Sequence, residues 1–300
     1  MIQCFFIGVD GGATKCIVRV EDEAGRILGQ ETCGPANIRI SVDQAWQSIN
    51  TALSKILTAN SLSLREKKYQ FHAGMGLAGC ELAEAYQTFL NYPHCFTTLM
   101  VSSDAHTACL GAHGGEDGAI IIAGTGVVGF QIQQGSTAKV GGWGFPHDDE
   151  GGGAWLGLEA VKLTLQWLDG RLPRSNLAEA VYVYFKRDRD QLVNWANQAN
   201  STAFAEMAPI VIQQIEAHDE AAIHLIKRCA TAIDRIGYAL YAQQPVKHKP
   251  LPCSLVGGIA PFLVPYLGEE LRQRLRPSLS APDAGAIFLV RDHLLKRKDT

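Results

Sequence analysis

Apolar residues recur along this chain with two different spacings, and the change between them predicts where strands give way to helices. Near the start, two apolar runs, residues 5–9 and 17–18, flank a glycine-containing stretch at 10–15. Two β-prone runs joined by a tight glycine turn are typical of a β-hairpin. A third run, 25–31, extends this predicted sheet to three strands.

Helical spacing begins at Ser41, a typical N-cap, and continues to about residue 58. Apolar residues share one face of this predicted helix: Trp46, Ile49, Leu53, Ile56 and Leu57. Beyond it the two spacings alternate, which predicts strands at 71–77 and 96–101 and helices at 81–91 and 105–112.

The strand–turn–strand pattern then starts again. An apolar run at 119–123 is followed by the glycine turn 124–126 and by runs at 127–132 and 137–140. The architecture of the first hairpin is therefore repeated, although its sequence is not.

A long helical region follows the repeat, and the chain ends with one more strand and helix. The spacing predicts helices at 154–168, 177–200, 203–216 and 220–243, a strand at 253–256 and a last helix from 283 to 296. Strands that alternate with helices indicate an α/β protein, and two similar halves favour a ligand cleft between them.

The composition agrees with this architecture and narrows the function. The 300 residues are 47% hydrophobic and 19% charged, and their net charge of −3 gives no basic field for nucleic acid. No apolar run approaches the roughly 20 residues that cross a bilayer, and the start lacks the charged region of a signal peptide. Eight scattered cysteines without a CxxC pair are typical of free thiols in a reducing compartment. We expect a cytoplasmic protein that binds neither nucleic acid nor membrane.

The turn of the first hairpin carries residues suited to phosphate binding. Gly11 and Gly12 let backbone N–H groups approach a phosphate closely, and Thr14 and Lys15 add a hydroxyl and a positive charge. Asp10 faces the same space, where a carboxylate beside phosphates is best explained by a bound Mg²⁺. An ordinary tight hairpin with polar turn residues explains the same pattern. The second glycine turn, in the middle of the chain, favours phosphate binding.

Five stretches occur in an order that resembles a known family. They are IGVDGGATK, SSDAHTACLGAH, AIIIAGTGVVGF, GGWG followed by DDEGGGAW, and SLVGGIA. The first, third and last resemble the two phosphate motifs and the adenosine motif of the sugar kinase/Hsp70/actin superfamily. The other two resemble the BadF/BadG/BcrA/BcrD branch, which contains N-acetylglucosamine kinases and bacterial glucosamine kinases. One glycine motif is weak evidence, whereas five in order are strong.

The resemblance implies two ribonuclease-H-like domains flanking a cleft, with a helical insertion in the second. The expected N-terminal domain is 1–113 plus 285–300, and the expected C-terminal domain is 114–284.

The resemblance also implies ATP and Mg²⁺ and assigns residues to each. Asp10 would hold Mg²⁺ through water. The ATP-binding residues would be Gly11, Gly12, Thr14 and Lys15 in the first motif, Gly124, Thr125 and Gly126 in the second, and Gly257 and Gly258 in the third.

Asp104 matches the position of the family's catalytic base, which accepts the proton of the sugar 6-hydroxyl. An aspartate just before a helix is also a common N-cap, so a capping role explains the same residue.

The resemblance further assigns a sugar-binding surface that includes Asp104. Its other members would be Asn37, Gly142, Trp143, Gly144 and Asp149. A turn residue is the commoner role for an Asn in this setting. A single tryptophan is usually a core anchor, although glycines on both sides are unusual for a core strand. Asp148 stands where relatives often have glycine, which is a departure next to a predicted sugar ligand.

The function implied is a kinase that phosphorylates the 6-hydroxyl of N-acetylglucosamine or glucosamine, acting as a homodimer. Two alternatives remain: an ATPase activator subunit of the BadF/BadG type, and a non-catalytic protein that binds sugar and nucleotide. The dispersed cysteines argue against the activator, whose relatives bridge two subunits with an iron–sulfur cluster.

Overall fold

The computed structural model describes residues 2–245 and 250–297. The chain divides into two units, each with its own sheet. Unit 1 contains the residues up to 118 together with those from 277 onward, and unit 2 contains residues 119–276. None of the helices in the described ranges combines the length and the apolar character that a membrane crossing requires.

Unit 1 combines one sheet with helices from both ends of the chain. Its elements are β1 (Gln3–Gly11), β2 (Cys16–Asp22), β3 (Ile27–Cys33), α1 (Val42–Ala59), β4 (Tyr69–Leu77), α2 (Ala83–Leu90), β5 (Thr98–Ser103), α3 (Asp104–Ala112) and α12 (Pro282–Lys296). The strand order is β3-β2-β1-β4-β5. β1 pairs antiparallel with β2 and parallel with β4, which brings the hairpin and the later strands into one sheet.

The helix α1 covers one face of this sheet for the reason that its sequence predicts. The Ser41 side chain accepts a hydrogen bond from the Gln44 N–H and so caps the first turn. All five apolar residues of the predicted face are buried, and the Trp46 ring stacks on Phe89 with centroids 4.5 Å apart.

The helix α12 packs on the other face of the sheet, and glycines allow its backbone to approach the strands closely. A Cβ added at Gly8 would overlap the backbone oxygen of Asp283, and one added at Gly74 would overlap that of Ala286. Where α12 meets α3, a Cβ at Gly285 would likewise overlap the backbone oxygen of Thr107. The last helix therefore packs directly on β1 and β4, close to the end of β1 that carries Asp10.

Unit 2 repeats the first half of that sheet and adds a helical insertion. Its elements are β6 (Gly118–Ala123), β7 (Val127–Gln133), β8 (Ser136–Gly141), α4 (Gly153–Leu168), α5 (Asn176–Tyr184), α6 (Arg189–Gln198), α7 (Ser201–Ala205), α8 (Ala208–Glu216), α9 (Glu220–Ala242), β9 (Cys253–Val256), α10 (Ala260–Leu263) and α11 (Glu269–Arg274). The order β8-β7-β6-β9 corresponds to β3-β2-β1-β4 of unit 1. β6 pairs parallel with β9, as β1 does with β4.

The prediction of one helix over 177–200 is wrong. The chain leaves helical geometry after α5, where Lys186 and Arg187 take positive φ values of 55° and 60°. Asp188 then caps a new helix, α6, because its side chain accepts hydrogen bonds from the backbone N–H groups of Asp190 and Gln191. The predicted helix 203–216 is likewise divided, into α7 and α8.

The two units divide at different residues from the predicted domains. The stretch 114–118 belongs to unit 1, since the Cys109 thiol donates a hydrogen bond to the Gly118 carbonyl. The stretch 277–284 also belongs there, because the Ser280 N–H bonds to the Gly111 carbonyl at 3.0 Å. Residues 1 and 298–300 of the first predicted domain, and 246–249 of the second, lie outside the described residues.

Candidate active site

The first glycine turn joins β1 to β2 in unit 1. The Gly12 N–H donates to the Lys15 carbonyl over 3.0 Å and closes the turn, while Thr14 and Lys15 are exposed. Gly11 has no room for a side chain, because a Cβ there would lie 2.5 Å from a methyl group of Leu77. Gly12 has more space around it, so the accessible part of the turn is 12–15.

Asp10 is the last residue but one of β1, at the foot of this turn, and its side chain is half-buried. Its pKa rises from 3.8 to about 6, first because the carboxyl is buried and then because Asp104 and Asp283 lie near it. Lys15 opposes this rise. A carboxylate that is crowded by two others and only partly offset by one cation favours the approach of a further positive charge.

Asp104 is the first residue of α3 rather than its cap. The cap is Ser103, whose hydroxyl accepts the hydrogen bond of the His106 N–H at 3.2 Å. The Asp104 carboxylate accepts a 2.8 Å hydrogen bond from the Ala105 N–H through Oδ1 and is half-buried. The capping alternative is therefore wrong, and the carboxylate stands close enough to Asp10 to raise its pKa.

Asp283 is a third carboxylate at this place, and the sequence did not indicate it. It is fully buried at the start of α12 and accepts a hydrogen bond of 2.5 Å from the Gln30 side chain. Its second oxygen, Oδ1, is buried without a hydrogen-bond partner. An aspartate in the first turn of a helix is common, so the sequence alone gave no sign of its proximity to Asp10.

Asn37 lies in the loop after β3, next to the turn of the first hairpin. Its Oδ1 accepts the Arg39 N–H at 3.0 Å, which closes a local turn of the kind that Asn favours. A small cavity of about 150 Å³ lies between this loop and the hairpin, lined by Ala13, Pro35, Asn37, Ile40, Ser41 and Gln44. The Asn37 side chain thus has a structural role and also lines a cavity beside the first glycine turn.

The second glycine turn, 124–126, joins β6 to β7 in unit 2. Its carbonyls accept hydrogen bonds from the start of α4, Gly124 from Gly153 and Thr125 from Ala154. A Cβ at Gly124 would meet nothing within 4 Å, whereas one at Gly126 would lie 2.5 Å from Asp149 Oδ2. The turn therefore presents an open side at Gly124 and a packed side at Gly126.

Asp149 is buried against this turn. Its Oδ1 accepts a 3.0 Å hydrogen bond from the Val127 N–H, and its backbone takes a positive φ of 68°. Burial raises the pKa of the Asp149 carboxyl, while the bond from Val127 opposes that rise and Asp148 adds to it. The side chain predicted to bind sugar consequently also holds the second glycine turn in place.

Gly257 and Gly258 lie beside the second turn, because β9 and β6 are parallel neighbours that end together. Gly257 takes a φ of 111°, and a Cβ there would overlap the backbone oxygen of Ala123. A Cβ at Gly258 would meet nothing within 4 Å. Two of the three predicted ATP motifs are therefore adjacent in unit 2, and one of them requires glycine for its backbone.

The loop that carries Trp143 is stabilised by Asp148. The Trp143 N–H donates to Asp148 Oδ2 at 3.0 Å, and the flanking Gly142 and Gly144 take φ values of 72° and 100°. The Trp143 side chain is 85% exposed, so it is not a core anchor. The departure at Asp148 thus supplies an acceptor that shapes this loop.

The sequence matches a family model over nearly its whole length. The model is that of the BadF/BadG/BcrA/BcrD ATPase family, and the match runs over residues 7–279. This chain belongs to that family. Over almost its whole length, the chain is also similar to proteins that are named for an activity.

Three of these proteins align with this chain over nearly their whole length. The chain is 32% identical over 285 residues to the glucosamine kinase GspK of Vibrio cholerae, which covers 95% of each protein. It is 23% identical over 296 residues to the N-acetylmuramic acid/N-acetylglucosamine kinase of Clostridium acetobutylicum, covering 96% of this chain and 95% of that protein. The crystal structure of a candidate N-acetylglucosamine kinase from Chromobacterium violaceum superposes with a TM-score of 0.86 at 31% identity, covering 96% and 99% of the two chains. The expected family and the two-sheet α/β fold are thereby confirmed.

The carboxylates beside the first glycine turn fit a divalent cation that is shared with phosphate and water. Among residues 2–245 and 250–297, no group of three or more His, Cys, Asp or Glu side chains is arranged to hold a metal by itself. Mg²⁺ commonly binds through one or two carboxylates, with phosphate and water completing its shell. Asp10, with its raised pKa and its crowding by Asp104 and Asp283, fits such a site.

Proposed function

We propose that this chain is a kinase that transfers the γ-phosphoryl group of ATP to the 6-hydroxyl of an amino sugar, either glucosamine or N-acetylglucosamine. The observation that carries the proposal is the electrostatic effect of Asp104 on Asp10 beside the first glycine turn, in a chain whose full-length relatives are named as amino-sugar kinases. Phosphoryl transfer needs groups that position two substrates and offset charge, and these residues are of that kind.

We assign phosphate binding to the two glycine turns. In unit 1 the exposed turn 12–15 offers the Thr14 hydroxyl and the Lys15 ammonium. In unit 2 the open side of the 124–126 turn leaves room for a phosphate against Gly124, and Thr125 is exposed next to it. Gly258, which also has free space, is assigned to the adenosine.

Asp10 is assigned to Mg²⁺. The ion, when bound with ATP, would neutralise phosphate charge and so favour transfer. Burial, and then the charges of Asp104 and Asp283, make the ionisation of Asp10 less favourable, and a bound cation would offset this effect. Asp283 has no assigned contact with either substrate.

Asp104 is assigned as the general base. Its Oδ1 is oriented by the Ala105 N–H, so the carboxylate is held at the start of α3 rather than free to rotate. A carboxylate that accepts the proton of the 6-hydroxyl would make that oxygen a better nucleophile. Ser103, and not Asp104, caps the helix, so the carboxylate is not required for that purpose.

Sugar binding is assigned to Asn37 and Asp104 in unit 1, and to the Trp143 loop and Asp149 in unit 2. An ammonium group favours nearby carboxylates, and Asp148 and Asp149 supply two in succession. An acetamido group favours an apolar wall, which the exposed Trp143 ring offers. Both groups are therefore compatible with unit 2. The homodimer and the cytoplasmic location remain predictions.

The proposal is tested by coupling ADP release to sugar addition. The purified protein, with ATP and Mg²⁺, is given glucosamine, N-acetylglucosamine, N-acetylmannosamine and glucose in turn. We expect ADP release to depend on sugar and to be fastest with one of the first two, with a product phosphorylated at O6. Release at the same rate without sugar would instead support the ATPase activator, and sugar binding without release would support the non-catalytic alternative.

A further inference from the structure

Two of the cysteines stand opposite each other in the sheet of unit 1. In the antiparallel ladder of β2 and β3, Cys16 is paired with Cys33. Residues opposed in such a ladder have Cα atoms about 4.5 to 5.5 Å apart, within the roughly 4.4 to 6.8 Å that a disulfide spans. By contrast, Cys4 faces Gln70 and Cys253 faces Ala119 in their ladders.

The two side chains lie on the same face of the sheet but differ in exposure. Cys16 is fully buried in the core of unit 1, and Cys33 packs against that core while part of it reaches solvent. Burial, and then the neighbouring Cys33, raise the pKa of the Cys16 thiol to about 11. An oxidant in solution therefore meets Cys33 first, and Cys16 is placed to react with the product.

This pair lies at the end of one predicted ligand-binding segment and at the start of another. Cys16 directly follows Lys15 of the first glycine turn, and Cys33 directly precedes the loop 34–37. The Ala36 N–H donates to the Gly12 carbonyl at 2.9 Å, which fastens the loop to the turn. A covalent bond between the sulfurs therefore links the end of the turn directly to the start of the loop and restricts the motion of both.

We propose that Cys16 and Cys33 form a reversible disulfide that weakens nucleotide binding by the turn 12–15. The Cys33 thiol reacts with a hydroperoxide, which gives a sulfenic acid and, from hydrogen peroxide, one water. The Cys16 sulfur then attacks the sulfenic sulfur, and a second water leaves as the S–S bond forms. Two electrons pass from the thiols to the peroxide, and a dithiol reductant returns them.

The disulfide itself is tested without reference to activity. Trypsin cleaves after Lys15, Arg19, Arg26 and Arg39, so the two cysteines fall in the separate peptides 16–19 and 27–39. The native full chain is treated with equimolar hydrogen peroxide, free thiols are alkylated in denaturant, and the digest is analysed without reduction. We expect the two peptides joined, with a mass two hydrogens below their sum. Full alkylation of Cys16, under conditions that oxidise the exposed Cys95, would overturn the proposal.

The consequence for nucleotide binding rests on the proposed function and is measured separately. Oxidation should raise the KM for ATP several-fold, and dithiothreitol should restore it. Cys33→Ser, at the partly exposed position, should make the enzyme insensitive to peroxide, as should Cys16→Ala, while Cys95→Ser should respond as the wild type does. A disulfide that forms without changing the KM for ATP would overturn the regulatory part. A protein without kinase activity in its reduced state would instead contradict the proposed function and leave the peptide result unaffected.

Discussion

The carboxylate of Asp149 accepts a hydrogen bond from the backbone N–H of Val127, at 3.0 Å, across the base of the second glycine turn. Both groups are buried, and Gly126 packs directly against the other carboxylate oxygen. The side chain that the family resemblance assigns to sugar therefore also determines the shape of the turn assigned to phosphate. A loss of function at Asp149 can arise from either role, and two substitutions separate them.

Asp149→Ala should destabilise unit 2, whereas Asp149→Asn should not. Alanine leaves the Val127 N–H buried without an acceptor, which costs about 1–3 kcal/mol of unfolding free energy, and it is strained at a φ of 68°. Asparagine keeps an acceptor and tolerates that conformation. Denaturant unfolding checks stability, and the KM for sugar checks binding. If Asp149→Asn were as unstable as Asp149→Ala, the hydrogen bond would not be what holds the turn.

Three glycines of unit 2 separate two effects of an added methyl group. At Gly124 and Gly258 it would occupy the proposed binding site, whereas at Gly257 it would strain the backbone. Gly124→Ala and Gly258→Ala place a methyl group in open space, so both variants should unfold at the wild-type temperature but show a raised KM for ATP. Gly257→Ala should lower the melting temperature, because its Cβ overlaps the Ala123 carbonyl at a φ of 111°. Thermal unfolding and ATP titration check these results. An unchanged KM for ATP in both open-space variants would contradict the assignment of these turns to nucleotide.

Asp10→Asn should make the protein more stable and less active. The folded-state pKa of Asp10 is about 6, above its ordinary 3.8, so the folded protein holds this proton more tightly than the unfolded chain does. Ionisation of Asp10 therefore lowers the free energy of unfolding as the pH rises from about 4 through about 6. The loss is on the order of 3 kcal/mol at most. In the presence of a chelator, Asp10→Asn should melt above the wild type at pH 8, and the difference should vanish near pH 4. Turnover with MgATP should fall. A variant that melts below the wild type at pH 8 would contradict this electrostatic account.

Trp143→Ala should affect sugar binding without affecting the fold. The side chain is 85% exposed, and substitutions at such positions usually change stability by less than about 0.5 kcal/mol. We expect a raised KM for the sugar, an unchanged KM for ATP, and the loss of any change in tryptophan fluorescence that sugar causes in the wild type. Asp148→Asn, which keeps an acceptor for the Trp143 N–H, is the matched control for the loop shape. A wild-type KM for every amino sugar in Trp143→Ala would remove Trp143 from the sugar site.

The sequence predicted what depends on local pattern. Both hairpins, the repeat, the Ser41 cap and the buried face of α1 follow from spacing and turn chemistry, and the structure has each of them. The break between α5 and α6 could not be predicted, because Lys186 and Arg187 are not typical breaker residues but still take positive φ values. The family resemblance implied that the last helix returns to the first domain, but not which individual residues meet there.

In the candidate site, too, local motifs could be predicted from the sequence but long-range contacts could not. The glycine turns and the carboxylates Asp10, Asp104 and Asp149 could be selected from motifs. The proximity of Asp283 to Asp10 could not, since it depends on α12 returning to pack on β1 through Gly8. Nor could the bond from Asp149 to Val127, which depends on a loop that folds back 22 residues later.

The central claim is that Asp104 accepts a proton from an amino sugar, and Asp104→Asn tests it most directly. The amide keeps an acceptor for the Ala105 N–H but is a far weaker base, so turnover should fall by about 10²–10⁴-fold, the usual contribution of a general base. Ser103→Ala is the control: it removes the cap of α3, costs about 1 kcal/mol of stability and should leave kcat nearly unchanged. Sugar affinity and kcat of Asp104→Asn are measured together, by calorimetry and by ADP release. Because the amide can still hydrogen-bond a sugar hydroxyl, the account predicts a sugar affinity within a few-fold of the wild type with turnover almost abolished. A kcat within a few-fold of the wild type would contradict it.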